Sequence, residues 1–177
     1  MTNKKKFVII IIESEGDVMN KKNLNNLITM ELKKFGIRRA RLGDDFEYNY
    51  EENTVYYRTT PAVADKDFSD FLMDRFDYED KYTFMMSLLH EVGQAKNNDD
   101  VVDDVYAFCL GEKFKIQKEI FKTSDYDRIK ILNYRYFSLP DEIMATAWAV
   151  NYIKRHKKKV AKLEKIFQNA IDNYNNR

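Results

Sequence analysis

Cysteine, proline and glycine are scarce in this sequence: it has one cysteine, two prolines and five glycines among 177 residues. The single cysteine, Cys109, excludes an intramolecular disulfide and indicates a reducing setting. So few glycines and prolines exclude a collagen-like chain and disfavour a turn-rich β-sandwich. Apolar runs are also short, and none approaches the ~20 residues that cross a bilayer. We therefore expect a soluble, cytoplasmic protein.

Hydrophobic residues make up 44% of the chain, which includes 12 Phe and 12 Tyr. That content is enough to fill one core, so we expect residues 1–177 to form a single domain. The run Phe7–Ile12 follows three lysines and resembles the start of a signal peptide. Because Glu13 interrupts the run and no small-residue cleavage site follows, a buried β-strand is the better interpretation.

Charge is unevenly distributed along the chain, although the net charge is only +1. Residues 44–104 carry 17 acidic and 5 basic groups, whereas residues 1–43 and 105–177 are each net basic. The acidic middle could pair with the basic ends in the fold, or the blocks could form separate surfaces for different partners. The sequence leaves both arrangements open.

The first part of the chain, residues 7–60, is expected to contain a small sheet, a helix and a hairpin. After the predicted strand at Phe7–Ile12, apolar residues recur at helical spacing up to Phe35, and Gly36 stands where a helix C-cap belongs. Aromatic and β-branched runs on both sides of a turn-like segment then predict a hairpin. The further expected strands are Ile37–Leu42, Phe46–Tyr50 and Thr54–Arg58.

The second part, residues 66–175, is expected to be mainly helical. The expected helices are Phe68–Phe76, Tyr82–Lys96, a segment capped by Asp99 or Asp100 that ends near Leu110, Pro140–Ile153, and a final one that includes Val160–Ile171. The segment before Leu110 would bury Val105 and Phe108 on one face. The predicted class is therefore α+β, with a small N-terminal mixed sheet and hairpin packed on a helical C-terminal half.

One helix carries two potential metal donors four residues apart, in His90-Glu91-Val92-Gly93-Gln94. This spacing places His90 and Gln94 on the same helical face, one turn from each other. Glu91 lies next to His90, where a glutamate can polarise a metal-bound water and carry its proton. The helix is therefore a candidate metal-binding and catalytic element.

The same helix resembles the metal-binding helix of the zincin metallopeptidases, with glutamine in place of the second histidine. A later segment, Glu142-Ile-Met-Ala145-Thr-Ala-Trp148-Ala149, is similar to the pattern with which the ImmA/IrrE-like branch of the gluzincins presents its third zinc ligand. Both segments occur in the order of that family, and the resemblance extends over residues 7–153. It implies a zincin-like fold, zinc ligands at His90 and Glu142, a general base at Glu91, and Gln94 in the position of the missing histidine.

The substitution at Gln94 determines what the resemblance implies for activity. An amide oxygen is a weak donor to zinc compared with a neutral imidazole. Losing a ligand should cost more affinity than the ~10–100-fold that follows loss of an outer-shell partner. Zinc is therefore the expected cofactor if there is one, and we expect it to be absent or weakly bound. The chain is expected to be metallopeptidase-like without proteolytic activity.

Outside this helix, the sequence offers weaker candidates for a site. A basic cluster near the C-terminus could bind nucleic acid or an acidic protein, although a solvated helix face is the better interpretation. Cys109 is expected to lie in the core, and the Asp pairs within residues 99–104 lack the glycine of a calcium-binding loop. The basic candidates are Lys154, Arg155, Lys157, Lys158 and Lys159.

Three functions are consistent with these features. The first is a zincin-like pseudo-metallopeptidase that binds a partner protein through residues 44–104 or 154–165. The second is an active metallopeptidase with an altered metal site, completed by Gln94 or by an Asp from residues 99–104. The third is a small nucleic-acid-associated or host-factor-inhibiting protein in which the His-Glu pair is coincidental. The Lys, Asn, Asp and Tyr bias indicates an AT-rich genome, such as that of a phage or mobile element, and no membrane partner is expected.

Overall fold

The computed structural model describes residues 19–62, 64–97 and 103–176. The strand predicted at Phe7–Ile12 and the caps predicted at Asp99 and Asp100 lie outside these residues. Within them the chain forms α-helices and a small mixed sheet, so the α+β class is confirmed. The helices are α1 (Lys21–Leu32), α2 (Ala64–Phe76), α3 (Thr83–Asn97), α4 (Asp103–Ile120), α5 (Tyr126–Phe137), α6 (Pro140–Arg155) and α7 (Lys157–Asn175). The strands are β1 (Arg39–Leu42), β2 (Glu47–Asn49) and β3 (Thr54–Tyr57).

Helix α1 and the sheet form where the sequence predicts them. The Asn20 side chain caps α1 by accepting a 2.9 Å hydrogen bond from the backbone N–H of Asn23. After a short 3-10 turn, the helix ends at Gly36, whose φ of 88° is easily adopted only by glycine. In the sheet, β3 lies in the centre, parallel to β1 and antiparallel to β2. The predicted hairpin is therefore confirmed, and β2 is an edge strand.

The main core lies between α1, the sheet, α3, α6 and α7, with α3 at its centre. Eight residues of α3, in the two runs Phe84 to Met86 and Leu88 to Val92, are buried. A separate small core joins α4 to α5 and to the start of α6. Its buried members are Cys109, Ile116, Leu132 and Leu139. Among the described residues, no helix combines the length and hydrophobicity that a membrane crossing requires.

The region between α3, which carries His90, and α6, which carries Glu142, differs most from the prediction. Helix α4 continues to Ile120, about three turns beyond its predicted end, and α5 was not predicted. Val105 and Phe108 are 39% and 57% exposed, so the buried face predicted for this helix is wrong. Phe108 is exposed because Cys109 and Ile116, seven residues apart, occupy the face that packs against α5. Val105 shares the face of Cys109 but lies one turn before it, and it is not part of that small core. Cys109 itself is fully buried, as predicted.

Helices α3 and α6 approach each other very closely at Gly93. A Cβ atom at this position would lie 2.5 Å from the carbonyl oxygen of Ala145 and 2.9 Å from its Cα. Both residues are small, so the two backbones can be in contact. This contact brings the His-Glu segment of α3 against the Glu142 segment of α6, which determines the geometry of the site described below.

Replacing Gly93 with alanine is expected to destabilise the protein by about 2 kcal/mol, because the added methyl group would overlap backbone atoms that cannot rotate away. The free energy of unfolding from urea titration measures the effect. Gly111→Ala is the matched control, since Gly111 also lies within a helix and a Cβ there would meet nothing within 4 Å. This control should be neutral or stabilising by up to about 1 kcal/mol. Equal effects of the two substitutions would contradict the close contact.

Candidate functional site

The candidate site is a buried polar cluster between α3 and α6. His90 from α3 and Glu142 from α6 are 7% and 2% exposed, and His90 Nε2 lies 2.9 Å from Glu142 Oε2. Gln94, one turn after His90, places its Nε2 3.1 Å from Glu142 Oε1. The three residues that the sequence selects as metal ligands are therefore in mutual contact. His90 and Gln94 each hydrogen-bond to Glu142.

The hydrogen bonds of His90 and Gln94 identify the acceptor of the Gln94 amide and the partner of each ring nitrogen of His90. Gln94 Nε2 also lies 3.2 Å from His90 Nε2, but a ring nitrogen that donates to Glu142 cannot accept from the amide. The acceptor for Gln94 is therefore Glu142. The other ring nitrogen, His90 Nδ1, lies 3.1 Å from the hydroxyl of Thr146 on α6. Thr146 is fully buried and fixes the orientation of the imidazole ring.

A lysine from α4 completes the cluster. Lys113 Nζ contacts Glu142 Oε1 and lies 2.6 Å from Asp141 Oδ2. It also lies 5.4 Å from the ring centroid of Tyr136 on α5, within the range of a cation–π interaction. Glu142 thus accepts hydrogen bonds from groups on three sides. Both of its carboxylate oxygens contact protein donors.

The charges in the cluster stabilise one another. Burial raises the pKa of Glu142, but the hydrogen bond and charge of His90 and the charge of Lys113 outweigh it, so the pKa is lowered. Burial likewise lowers the pKa of His90, and the hydrogen bond and charge of Glu142 outweigh that effect and raise it. The carboxylate at Glu142 and the positive charges around it therefore favour each other.

Glu91 occupies a different environment although it is adjacent to His90. Its side chain is 5% exposed, and the backbone of Tyr48 on β2 donates a hydrogen bond to the carboxylate. Its Oε2 has no hydrogen-bond partner among the described residues. Burial, with a smaller contribution from the charge of Glu142, raises the pKa of Glu91 to about 7. Glu91 is therefore partly protonated near neutral pH.

The donor set does not fit a catalytic zinc ion. Such an ion needs about three protein donors and an open position. His90 and Glu142 are two donors, and Gln94 directs its amide nitrogen rather than its oxygen toward the centre, because the oxygen would face a carboxylate. The Lys113 ammonium already lies against Glu142 Oε1, where it would repel a second cation. Within the described residues, no three His, Cys, Asp or Glu side chains are arranged to hold a metal ion.

The cluster opens into a cavity of about 310 Å³ that lies between α2, α3 and α5. His90, Glu91 and Gln94 line it together with Phe68 and Phe137. A neighbouring cleft of about 430 Å³ extends from Gln94 along the space between β2 and α4. We call this second space the β2–α4 cleft; its lining includes Phe46, Tyr48, Tyr50, Tyr106, Leu110 and Phe114.

The predicted basic cluster lies on the opposite end of α6, around the junction with α7. Lys154, Arg155, Lys157 and Lys158 are exposed to solvent. Lys159 differs, because its Nζ lies 2.8 Å from Glu31 Oε1 and 2.9 Å from the hydroxyl of Tyr152. Lys159 therefore connects α7 to α1 and α6. The other four residues form a separate basic surface away from the His90 cluster.

Sequence reasoning missed Lys113 and Thr146. Lys113 lies among Glu112 and Lys115, which makes it resemble part of a solvated helix face. A signal was present, because Cys109 and Ile116 share the face of Lys113 at spacings of four and three residues. A lysine within an otherwise apolar stripe requires a buried partner. The sequence does not indicate that the partner is Glu142.

The fold and site therefore define an α+β protein with a buried ionic cluster between two closely packed helices. Comparison of the chain with protein-family models, curated proteins and solved structures gives no match.

Proposed function

We propose that this chain is a zincin-like protein without peptidase activity, which acts by binding a partner protein. The observation that supports the first part is that both carboxylate oxygens of Glu142 contact protein donors. His90, Gln94 and Lys113 contact its two oxygens, so the groups that would bind a metal bind one another instead. Glu91, the residue that would serve as general base, has no activated water to deprotonate in such a site.

The support for a binding role comes from the surface of α4. Large apolar side chains on this helix are exposed, including Leu110 at 57% and Phe114 at 68%. Apolar side chains that cluster on a surface in this way are typical of interaction sites. Leu110 and Phe114 line one side of the β2–α4 cleft, and Tyr50, 62% exposed, lies on the other. The cleft is therefore the best candidate for the contact surface.

The charge around the β2–α4 cleft indicates the chemistry of the partner. Asp45 and Glu47 belong to its lining, are exposed and lie in the acidic block 44–104. Asp45 is paired with Arg58 at 3.1 Å, whereas Glu47 has no ion pair among the described residues. A partner segment with Leu, Phe or Tyr side chains flanked by Lys or Arg would complement both the apolar lining and the acidic rim. We therefore propose a basic, aromatic-rich protein segment as the occupant.

Wild-type protein supplied with zinc is expected to cleave an unfolded protein substrate no faster than the Glu91→Gln variant. Glu91→Gln is the matched control, since it removes the carboxylate that is the candidate general base and changes few atoms. Cleavage is followed by electrophoresis and mass spectrometry. If wild type cleaves the substrate and Glu91→Gln does not, the chain is an active metallopeptidase with an altered site.

The binding proposal is tested with synthetic peptides that carry Leu, Phe and Tyr flanked by Lys and Arg. Fluorescence anisotropy should detect their binding to wild type, and Leu110→Asp should weaken it by about 10-fold or more. Ile131→Asp is the control, because Ile131 is 64% exposed but lies on α5 outside the cleft lining. The proposal that a basic, aromatic-rich segment binds the cleft would be refuted if both variants weakened binding equally. It would also be refuted if peptides with acidic flanks bound as well as those with basic flanks.

A further inference from the structure

We propose that Lys113 is a built-in cation of the site, an ammonium group on α4 that neutralises Glu142 and excludes a metal ion from it. Lys113 would have this role whether or not the chain descends from peptidases. The segment between α3 and α6 would then supply a residue of the site.

A buried carboxylate at Glu142 requires a compensating charge. Its side chain is 3% exposed, and an ion at such depth is stable only with charged and hydrogen-bonding partners. Gln94 provides a neutral donor and His90 a ring nitrogen. Lys113 provides a full positive charge at the second oxygen. It therefore supplies the positive charge that a metal would bring to Glu142.

Lys113 is itself held in place on several sides. Its side chain is 17% exposed and lies between two carboxylates, those of Asp141 and Glu142, and the ring of Tyr136. Lys115 on the same helix is different, because it is 69% exposed and contacts only Glu112 in its own helix among the described ion pairs. The site of Lys113 is thus built around an ammonium group, whereas Lys115 is an ordinary surface lysine.

The packing of α4 directs Lys113 into the site. Cys109 and Ile116 lie on the same face as Lys113 and are completely or almost completely buried against α5 and α6. Rotation of α4 that would withdraw Lys113 would also expose these two residues. Because the ammonium contacts Glu142 Oε1, a divalent ion and Lys113 cannot both use that oxygen without strong repulsion.

The first test measures zinc affinity by competition with a chromophoric chelator. Gln94→His restores a third donor and leaves Lys113 in place, whereas Gln94→His/Lys113→Met removes the competing cation. The double variant is expected to bind zinc about 100-fold more tightly than Gln94→His. Gln94→His/Lys115→Met is the matched control and should bind like Gln94→His. Equal zinc affinity with and without Lys113 would overturn the proposal.

The second test measures stability without any metal. Lys113→Met should lower the midpoint of thermal unfolding by about 10 °C, because it leaves Glu142 with less positive charge. Lys113→Arg should recover most of this loss, and Lys115→Met should lower the midpoint by less than about 2 °C. A Lys113→Met protein as stable as wild type would overturn the proposal.

If Lys113→Met does not fold, zinc is expected to restore folding in Gln94→His/Lys113→Met, as judged by far-UV circular dichroism. Failure of both zinc and Lys113→Arg to restore folding would overturn the proposal. These outcomes are independent of peptidase activity and of peptide binding, so they do not depend on whether the proposed function is correct.

Discussion

Replacing Glu142 with alanine is expected to destabilise the protein by about 4 kcal/mol, because the substitution leaves Lys113 and His90 buried without their common partner. The side chain of Lys113 is 17% exposed and that of His90 is 9% exposed, so both lose this partner in a largely buried position, although Lys113 keeps its contact with Asp141. The free energy of unfolding from urea titration measures the loss.

Two comparisons separate this effect from a general cost of mutating a helix. Glu119→Ala on α4 removes a carboxylate that is 42% exposed and 3.4 Å from Arg128, and it should cost less than about 1 kcal/mol. Combining Glu142→Ala with Lys113→Met should cost less than the sum of the single changes, because the second removes the cation that has lost one of its two carboxylate partners. Additive effects would contradict a shared ionic cluster.

Replacing Glu91 with glutamine is expected to stabilise the protein by about 3 kcal/mol at pH values above about 8. The pKa of Glu91 rises from 4.5 to about 7 on folding, because burial disfavours the charged form. Between pH 4.5 and about 7, the folded protein therefore keeps a proton on Glu91 that the unfolded chain has released. As the pH rises through this range, wild-type stability falls, whereas glutamine has no proton to lose.

The pH dependence distinguishes this mechanism from a simple packing effect. Below about pH 5 the advantage of Glu91→Gln should shrink to less than about 1 kcal/mol, since Glu91 is then protonated in the folded state. Urea titrations of wild type and variant across this range measure the difference. The raised pKa of Glu91 would be contradicted if the stability difference between variant and wild type were the same at all pH values, or if the variant were less stable than wild type at high pH. Groups that do not interact with Glu91 act in both proteins and cancel in the comparison. His90 does not cancel, because the charge of Glu91 contributes to its raised pKa.

The sequence predicts the elements that carry strong local signals. The helix containing His90 and the helix that begins at Pro140 are found where expected, because apolar periodicity and an N-terminal proline act within a few residues. The hairpin and the Gly36 cap follow from equally local preferences. The contact of Gly93 with Ala145 is compatible with the sequence, since only small residues allow two helices to approach so closely.

The remaining features depend on contacts between distant segments. Helix α5 divides its apolar residues between two neighbours: Leu132 packs in the core shared with α4, while Tyr134 and Phe137 pack against Phe71 of α2. No single apolar stripe marks it. Lys113 and Glu142 are 29 residues apart on different helices, so no periodic pattern connects them. A buried ion pair of this kind can be identified only when the positions of both helices in the fold are known.

The central claim is that the protein's own side chains, rather than a metal ion, satisfy the His90–Glu142 pair. The most direct test is the zinc content of wild-type protein, purified without chelators, incubated with excess zinc and desalted, as measured by inductively coupled plasma mass spectrometry. Because the donor set is incomplete and Lys113 contacts Glu142, we predict only a small fraction of one zinc ion per chain. One tightly held zinc ion per chain, lost in His90→Ala and in Glu142→Ala, would contradict the account.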